Sequence, residues 1–196
     1  SFRCTRIKIA RNDGTDNADY LLQNINITDI FVDGANRKWI GTRESGLYLV
    51  SADGSEILNH FTIENSKLSS NHVTEVIVDP VTGVAYIGTA SGLVAYRSDA
   101  VQSSDDYSNV YAFPNPVRPD YEGWISVTGL MENSLVKITD TAGNLFFQGY
   151  SNGGQISWDG RDRSGNRVKT GVYLVFASSS GSSKQSGVVT KILVVN

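Results

Sequence analysis

Residues 159–166 read Asp159-Gly-Arg-Asp162-Arg-Ser-Gly-Asn166, which puts two carboxylates and an amide, the donors a hard cation takes, within one short stretch. Arg161 and Arg163 interleave, and the acidic spacing is not that of a calcium loop, so the expectation is a turn whose Asp and Asn side chains cap exposed backbone. His60 and His72 are the only histidines. A hydrolase would need a nucleophile or a carboxylate pair held beside one of them, and nothing at fixed spacing supplies it. Both are read as solvated or capping side chains. Trp39, Trp124 and Trp158 could stack on sugar rings. Trp39 alternates with apolar positions and is read as core, Trp158, which precedes the Asp-Gly turn, as packing the core of the second half, and Trp124, beside Gly123, as an exposed aromatic. The single cysteine, Cys4, excludes a disulfide within the chain, and no Cys/His cluster suggests a metal. No catalytic, cofactor-binding or metal-binding residue is assigned, and no cofactor is expected.

The elements that must position these residues are short. The chain of 196 residues carries 17 basic and 20 acidic side chains, a net charge of −3 spread along its length, which argues against nucleic acid as a partner. No apolar run approaches the roughly 20 residues needed to cross a bilayer as a helix. Glycine occurs 19 times, beside Asp, Asn and Ser, between runs rich in Val, Ile, Tyr and Phe. That punctuation, with no apolar period of 3.6 sustained over three turns, predicts an all-β protein almost without helix.

Residues 28–48 and 74–96 repeat one another. Thr28 aligns with Thr74, Asp33 with Asp79, Trp39 with Tyr86, Gly41 with Gly88, and Gly46-Leu47 with Gly92-Leu93, an offset of 46 or 47 residues. The match extends upstream, where Leu22 faces Leu68. In each copy a Val/Ile strand runs into a turn with Gly or Asn at a position suited to positive φ. A second strand then ends in a glycine where backbones approach closely, and a Ser-Gly turn leads to a third. Three or four antiparallel strands in about 46 residues is the size of a propeller blade.

These residues resemble the two-component regulator propeller repeat, with its aromatic-Ile-Gly-Thr core and Ser-Gly-Leu turn at Trp39–Thr42 and Gly46-Leu47 and again at Tyr86–Thr89 and Gly92-Leu93. Residues 3–21 would be the tail of a preceding blade, with a turn at Asn12-Asp-Gly14. Propellers close with roughly four to eight blades. About two and a half are present, so the expectation is a C-terminal remnant of a longer protein, or open edges closed against another copy.

A polar stretch over residues 99–109, including Asp99, Asp105 and Asp106, is read as a linker and solvated tether. From Val110 the repeat stops, and six or seven period-2 strands with a turn every dozen or so residues outline an immunoglobulin-like sandwich. The expected fold is therefore all-β: a partial β-propeller of about two and a half blades over residues 1–98, a linker over 99–109, and an Ig-like β-sandwich over 110–196.

Pro114-Asn-Pro116, Gly129-Leu130, Val136–Asp140, Trp158–Asp162, Gly171-Val-Tyr173 and Lys191–Val194 fall in the order seen in the FlgD-like immunoglobulin module. The string is also similar to the C-terminal sorting domain of the type IX secretion system of Bacteroidetes, a domain that ends its protein, as Asn196 ends this chain. The joint resemblance implies a non-catalytic cell-envelope binding or assembly protein, exported to the cell surface, outer membrane or periplasm. Its propeller would recognise a ligand or partner, and its sandwich would serve sorting or docking. The residues this singles out are Pro114, Asn115, Pro116, Gly171, Tyr173 and Lys191, although Pro-Asn-Pro also suits a strand start and Gly-Val-Tyr also suits a core. Implied partners are secretion-machinery or other envelope proteins, lipopolysaccharide or another glycan, and a second copy through open propeller edges. The propeller repeat alone also implies a periplasmic sensor ectodomain of a hybrid two-component system for polysaccharide fragments, in which a membrane helix and a kinase would follow. An enzyme built on the propeller would need a catalytic pair that these residues do not supply.

Overall fold

The computed structural model describes residues 4–10, 18–179 and 187–196, and the predicted turn at Asn12-Asp-Gly14 lies outside them. The described chain is all-β and forms two compact units, Ser1–Ser98 and Asp99–Asn196.

In the first unit, β1 (Lys8–Ala10) and β2 (Ala18–Tyr20) pair antiparallel. The first repeat folds as a four-stranded meander of β3 (Ile27–Val32), β4 (Lys38–Thr42), β5 (Leu47–Val50) and β6 (Ile57–Phe61). The second gives a three-stranded meander, β7 (Val73–Val78), β8 (Val84–Thr89) and β9 (Gly92–Arg97). The turns are as the sequence predicts: Asn36 and Gly83, closing the first hairpin of each repeat, have φ of 57° and 67°, a region that Asn and Gly tolerate at least cost.

The two meanders share one core. Trp39, Leu47 and Leu49 of the first pack with Val73, Val76 and Ile87 of the second. Side chains alternate along a strand, so one face of each sheet can enter this core while the other looks away. The opposite face of the first meander, Ile40, Tyr48 and Val50, packs against Leu21, Leu22 and Ile25 at the end of β2. Sheets stacked face to face in sequence order are consistent with consecutive propeller blades.

The second unit is a sandwich of two antiparallel sheets. One holds β10 (Tyr111–Phe113), β11 (Ile125–Thr128) and β14 (Gln155–Trp158). The other runs in the order β13 (Leu145–Tyr150), β12 (Leu135–Thr139), β15 (Gly171–Ser178), β16 (Val188–Val194). Both contribute to one core, with Ile125, Val127 and Trp158 from the first and Ile138, Val175 and Ile192 from the second.

The 99–109 segment is more than a solvated tether. Val101 is buried, forms a parallel bridge with Gly153, and accepts the Gly154 N–H through its carbonyl at 2.9 Å. Ser104 N–H donates to the Leu130 carbonyl, and the Tyr107 hydroxyl meets Ser134 Oγ at 2.8 Å. Its composition is polar because Asp105 and Asp106 face water, but its backbone is spent on the sandwich.

Candidate functional site

The Pro-Asn-Pro stretch and the last strand, separated by more than 70 residues of sequence, form one structure. Asn115 carries the join, because a side-chain amide can present the donor and acceptor of a peptide group. Its Nδ2 donates to the Lys191 carbonyl at 2.8 Å, and its Oδ1 accepts the Leu193 N–H at 3.0 Å. Val117 extends the ladder, donating to Leu193 and accepting from Val195. The peptide bonds Phe113-Pro114 and Asn115-Pro116 are cis. Of the six residues singled out in the sequence, the fold thus gathers half-buried Pro114 and exposed Asn115, Pro116 and Lys191 along one edge.

The other two lie elsewhere. Gly171 opens β15, paired with Val194. Tyr173 is 5% exposed, its ring 5.7 Å from Trp158 and edge-on to Phe146 at 5.2 Å, with its hydroxyl donating to the Lys169 carbonyl. Burial raises its pKa above the ordinary phenol value, and the Asp140 charge adds to the rise. Tyr173 is core and offers nothing to a docking partner. Trp124 is 63% exposed, as its sequence context predicts.

One contributor escaped the sequence reading. The Arg167 guanidinium donates to the Tyr121 and Arg118 carbonyls and to Asn196 Oδ1, at 2.9, 3.2 and 3.0 Å, and so fastens the 118–121 loop to the end of the chain. Only its place beside the arginine-rich turn hinted at it.

The Asp159–Asn166 stretch is a pair of capped turns. Asp159 Oδ1 accepts the Arg161 N–H, and Asp162 Oδ1 accepts those of Ser164 and Asn166. The Asn166 N–H, followed by that of Ser164, holds the Asp162 carboxyl below its ordinary value. Arg161 turns inward to the Gly165 carbonyl, and no cluster of potential metal ligands exists among the described residues. His60 stacks on Tyr48 at 4.0 Å and donates through Nε2 to the Ser45 carbonyl. That is a packing role.

In the first unit, the polar group that sequence alone did not reveal lies under Trp39. Asp33 and Arg37 are buried together. The Asp33 carboxylate accepts from Arg37 Nε at 2.9 Å, Trp39 Nε1 at 3.1 Å and two turn N–H groups, while Arg37 reaches Ser98 Oγ at 2.8 Å. These bonds tie the 33–37 turn to Trp39 and to Ser98 at the end of the unit. A groove of about 500 Å³ between β1–β2 and the first meander is walled mainly by apolar side chains, among them Ile7, Leu22, Ile30 and Ile40.

No family model and no curated protein matches the chain. Among solved structures it is similar to PorZ of Porphyromonas gingivalis, an essential bacterial surface component of the type IX secretion system, with 38% identity over 98% of this chain and a TM-score of 0.60. The chain spans 25% of the length of that PorZ structure. Two sensor ectodomains of Bacteroides thetaiotaomicron also align. They are the extracellular domains of the putative hybrid two-component systems BT4673 (14% identity, 97% of this chain and 29% of that one, TM-score 0.33) and BT3049 (14%, 94%, 29%, 0.34). Overlaps that loose say nothing of this chain's role. An exported, cell-envelope location agrees with the PorZ match.

Proposed function

We propose that this chain is part of a PorZ-like, non-catalytic component of the bacterial cell envelope that acts in type IX secretion. In this reading, residues 1–98 are blades of a regulator-type propeller and residues 110–196 an Ig-like module of the sorting-domain kind. The observation that carries the proposal is the 38% identity to PorZ sustained over 98% of the chain. Two features support it: the repeat with its stacked meanders, and the two-sheet sandwich. The partners are envelope proteins of the secretion machinery. The exposed edge built by Pro114, Asn115, Pro116 and Lys191 is the surface they read.

The test is genetic and uses the intact gene in its host. A strain lacking the gene should fail to export type IX cargo, and the wild-type gene should restore export. A gene altered at Lys191 and Pro116, whose product folds to wild-type level, should restore it poorly. Wild-type cargo export by the deletion strain defeats the proposal, and full restoration by the altered gene defeats the assignment of the edge.

A further inference from the structure

The two sheets of the sandwich differ in their outer faces. An antiparallel sheet covered on one side alternates apolar residues inward with polar ones outward. β11 and β14 follow that rule, with Ser126, Thr128, Gln155 and Ser157 at their outward positions. The four-stranded sheet does not. Its inward residues Val136, Ile138, Val175 and Ile192 are 0% exposed, so the core is complete without help from the other side. Yet β15 turns Val172, Leu174 and Phe176 outward, and β16 sets Leu193 beside Val172 and Val188 beside Phe176. Val172, Leu193 and Val188 are 39, 41 and 42% exposed, and Leu174 and Phe176 are half-buried.

Charge is segregated on the same sheet. None of the chain's 20 acidic residues falls in β12, β13, β15 or β16, whose only charged residues are Lys137 and Lys191. Both are exposed on the outward side, Lys137 on β12 beside Phe176 and Lys191 on β16 beside Leu174. The apolar stripe of β15 thus runs between two strands that each carry one cation. Neither ammonium has an ion-pair partner among the described residues.

An exposed apolar patch with a polar border marks a contact surface, and the charges here define what fits it. A second copy is a poor match, because a two-fold pair sets the same patch on both sides and brings two wholly cationic faces together. A lipid surface is a poor match as well: anionic membranes are gripped by clusters of about four to eight basic residues, and this face offers only Lys137 and Lys191. We propose that the outer face of the four-stranded sheet docks another envelope protein, one that presents an apolar patch flanked by Asp or Glu side chains. The face adjoins the Asn115–Pro116 edge, since Lys191 belongs to both, so a single partner can cover edge and face together. The inference rests on the reading of the sandwich as a docking module and adds to it the chemistry of the partner.

The test uses the natural polypeptide in intact cells of its host. A carbodiimide joins an ammonium and a carboxylate in direct contact as an amide. It should link Lys137 to an Asp or Glu of one other envelope protein, identified by peptide mass spectrometry. Val172→Asp places a carboxylate in the stripe and should lower that linkage at least about ten-fold through like-charge repulsion. Leu193→Asp makes the same change on β16 should the first variant fail to fold, and amide exchange of β15 shows which variants are native. No linkage at Lys137, or an equal yield from a native variant, overturns the proposal. So does linkage confined to the same polypeptide or to a second copy. Binding of the purified protein to phosphatidylglycerol vesicles that Val172→Asp abolishes also overturns it, since the face would then belong to lipid. Export of type IX cargo by the deletion strain reads the secretion role separately: normal export together with the Lys137 linkage would discard that role and keep the docking face.

Discussion

Gly41 offers the sharpest test of the stacked meanders, because the repeat supplies its own control. Gly41→Ala places a methyl where Val73 Cγ1 stands 2.8 Å away, and Val73 is fully buried. A side chain with no room to retreat makes such overpacking cost about 1–3 kcal/mol. Removing glycine's freedom in the unfolded chain returns about 0.4–1 kcal/mol, so the net loss centres on about 1–2 kcal/mol. Gly88→Ala makes the same chemical change at the counterpart, where the nearest atom is Thr74 Oγ1 at 3.0 Å on an exposed side chain. That hydroxyl can rotate, so the expected change is within about 0.5 kcal/mol. Amide exchange of β4 and β7 in the 196-residue chain reads the difference locally, without assuming that the two units unfold together. Gly41→Ala should speed exchange about 5- to 30-fold and Gly88→Ala should leave it nearly unchanged. Equal effects, or a larger one at Gly88, would refute the view that the glycine is there for close approach between sheets.

Asp33→Ala strips the buried Arg37 guanidinium of its carboxylate and Trp39 Nε1 of its acceptor. A loss of about 3–5 kcal/mol is expected, visible as a red-shifted Trp39 emission and rapid exchange through the first unit; a loss under about 1 kcal/mol would contradict a structural role. Asn115→Ala removes two backbone-directed hydrogen bonds and should cost about 1–2 kcal/mol, confined to faster exchange over residues 191–195, with the β7–β9 sheet unchanged. In the Ser51–Glu56 turn, the Ser51 hydroxyl, followed by the Ser55 N–H, holds the Asp53 carboxyl at about 2 against an ordinary 3.8. A depressed folded-state value means that the turn's contribution is complete above 3.8 and is lost as pH falls through about 2. Carbon NMR titration should show that midpoint, and Ser51→Ala should raise it; a wild-type midpoint near 3.8 would discredit the turn geometry.

Local chemistry was legible without a structure. Strand alternation, Asn and Gly at positive φ in the hairpins, and capping by Asp159 and Asp162 all depend on neighbours a few residues away, and those are written in the chain. So was the likeness of the two meanders, since a repeated string repeats its backbone. Asn115 could be singled out by type, but its partners Lys191 and Leu193 are remote in sequence, and only chain closure brings them to it.

Burial was decided by the tertiary structure. Trp39 and Tyr86 are equivalent in sequence, yet one is sealed and the other stands in solvent, because exposure belongs to whatever packs opposite and not to the residue. The same reason separates Tyr173, read as a docking candidate and found in the core, from Asp99–Asn109, read as a tether and found pinned by its backbone. A polar composition describes where side chains point; it does not say where the peptide groups find their partners. Sequence therefore determined what each segment could become, and the meeting of sheets distant along the chain determined which surfaces remained to be used.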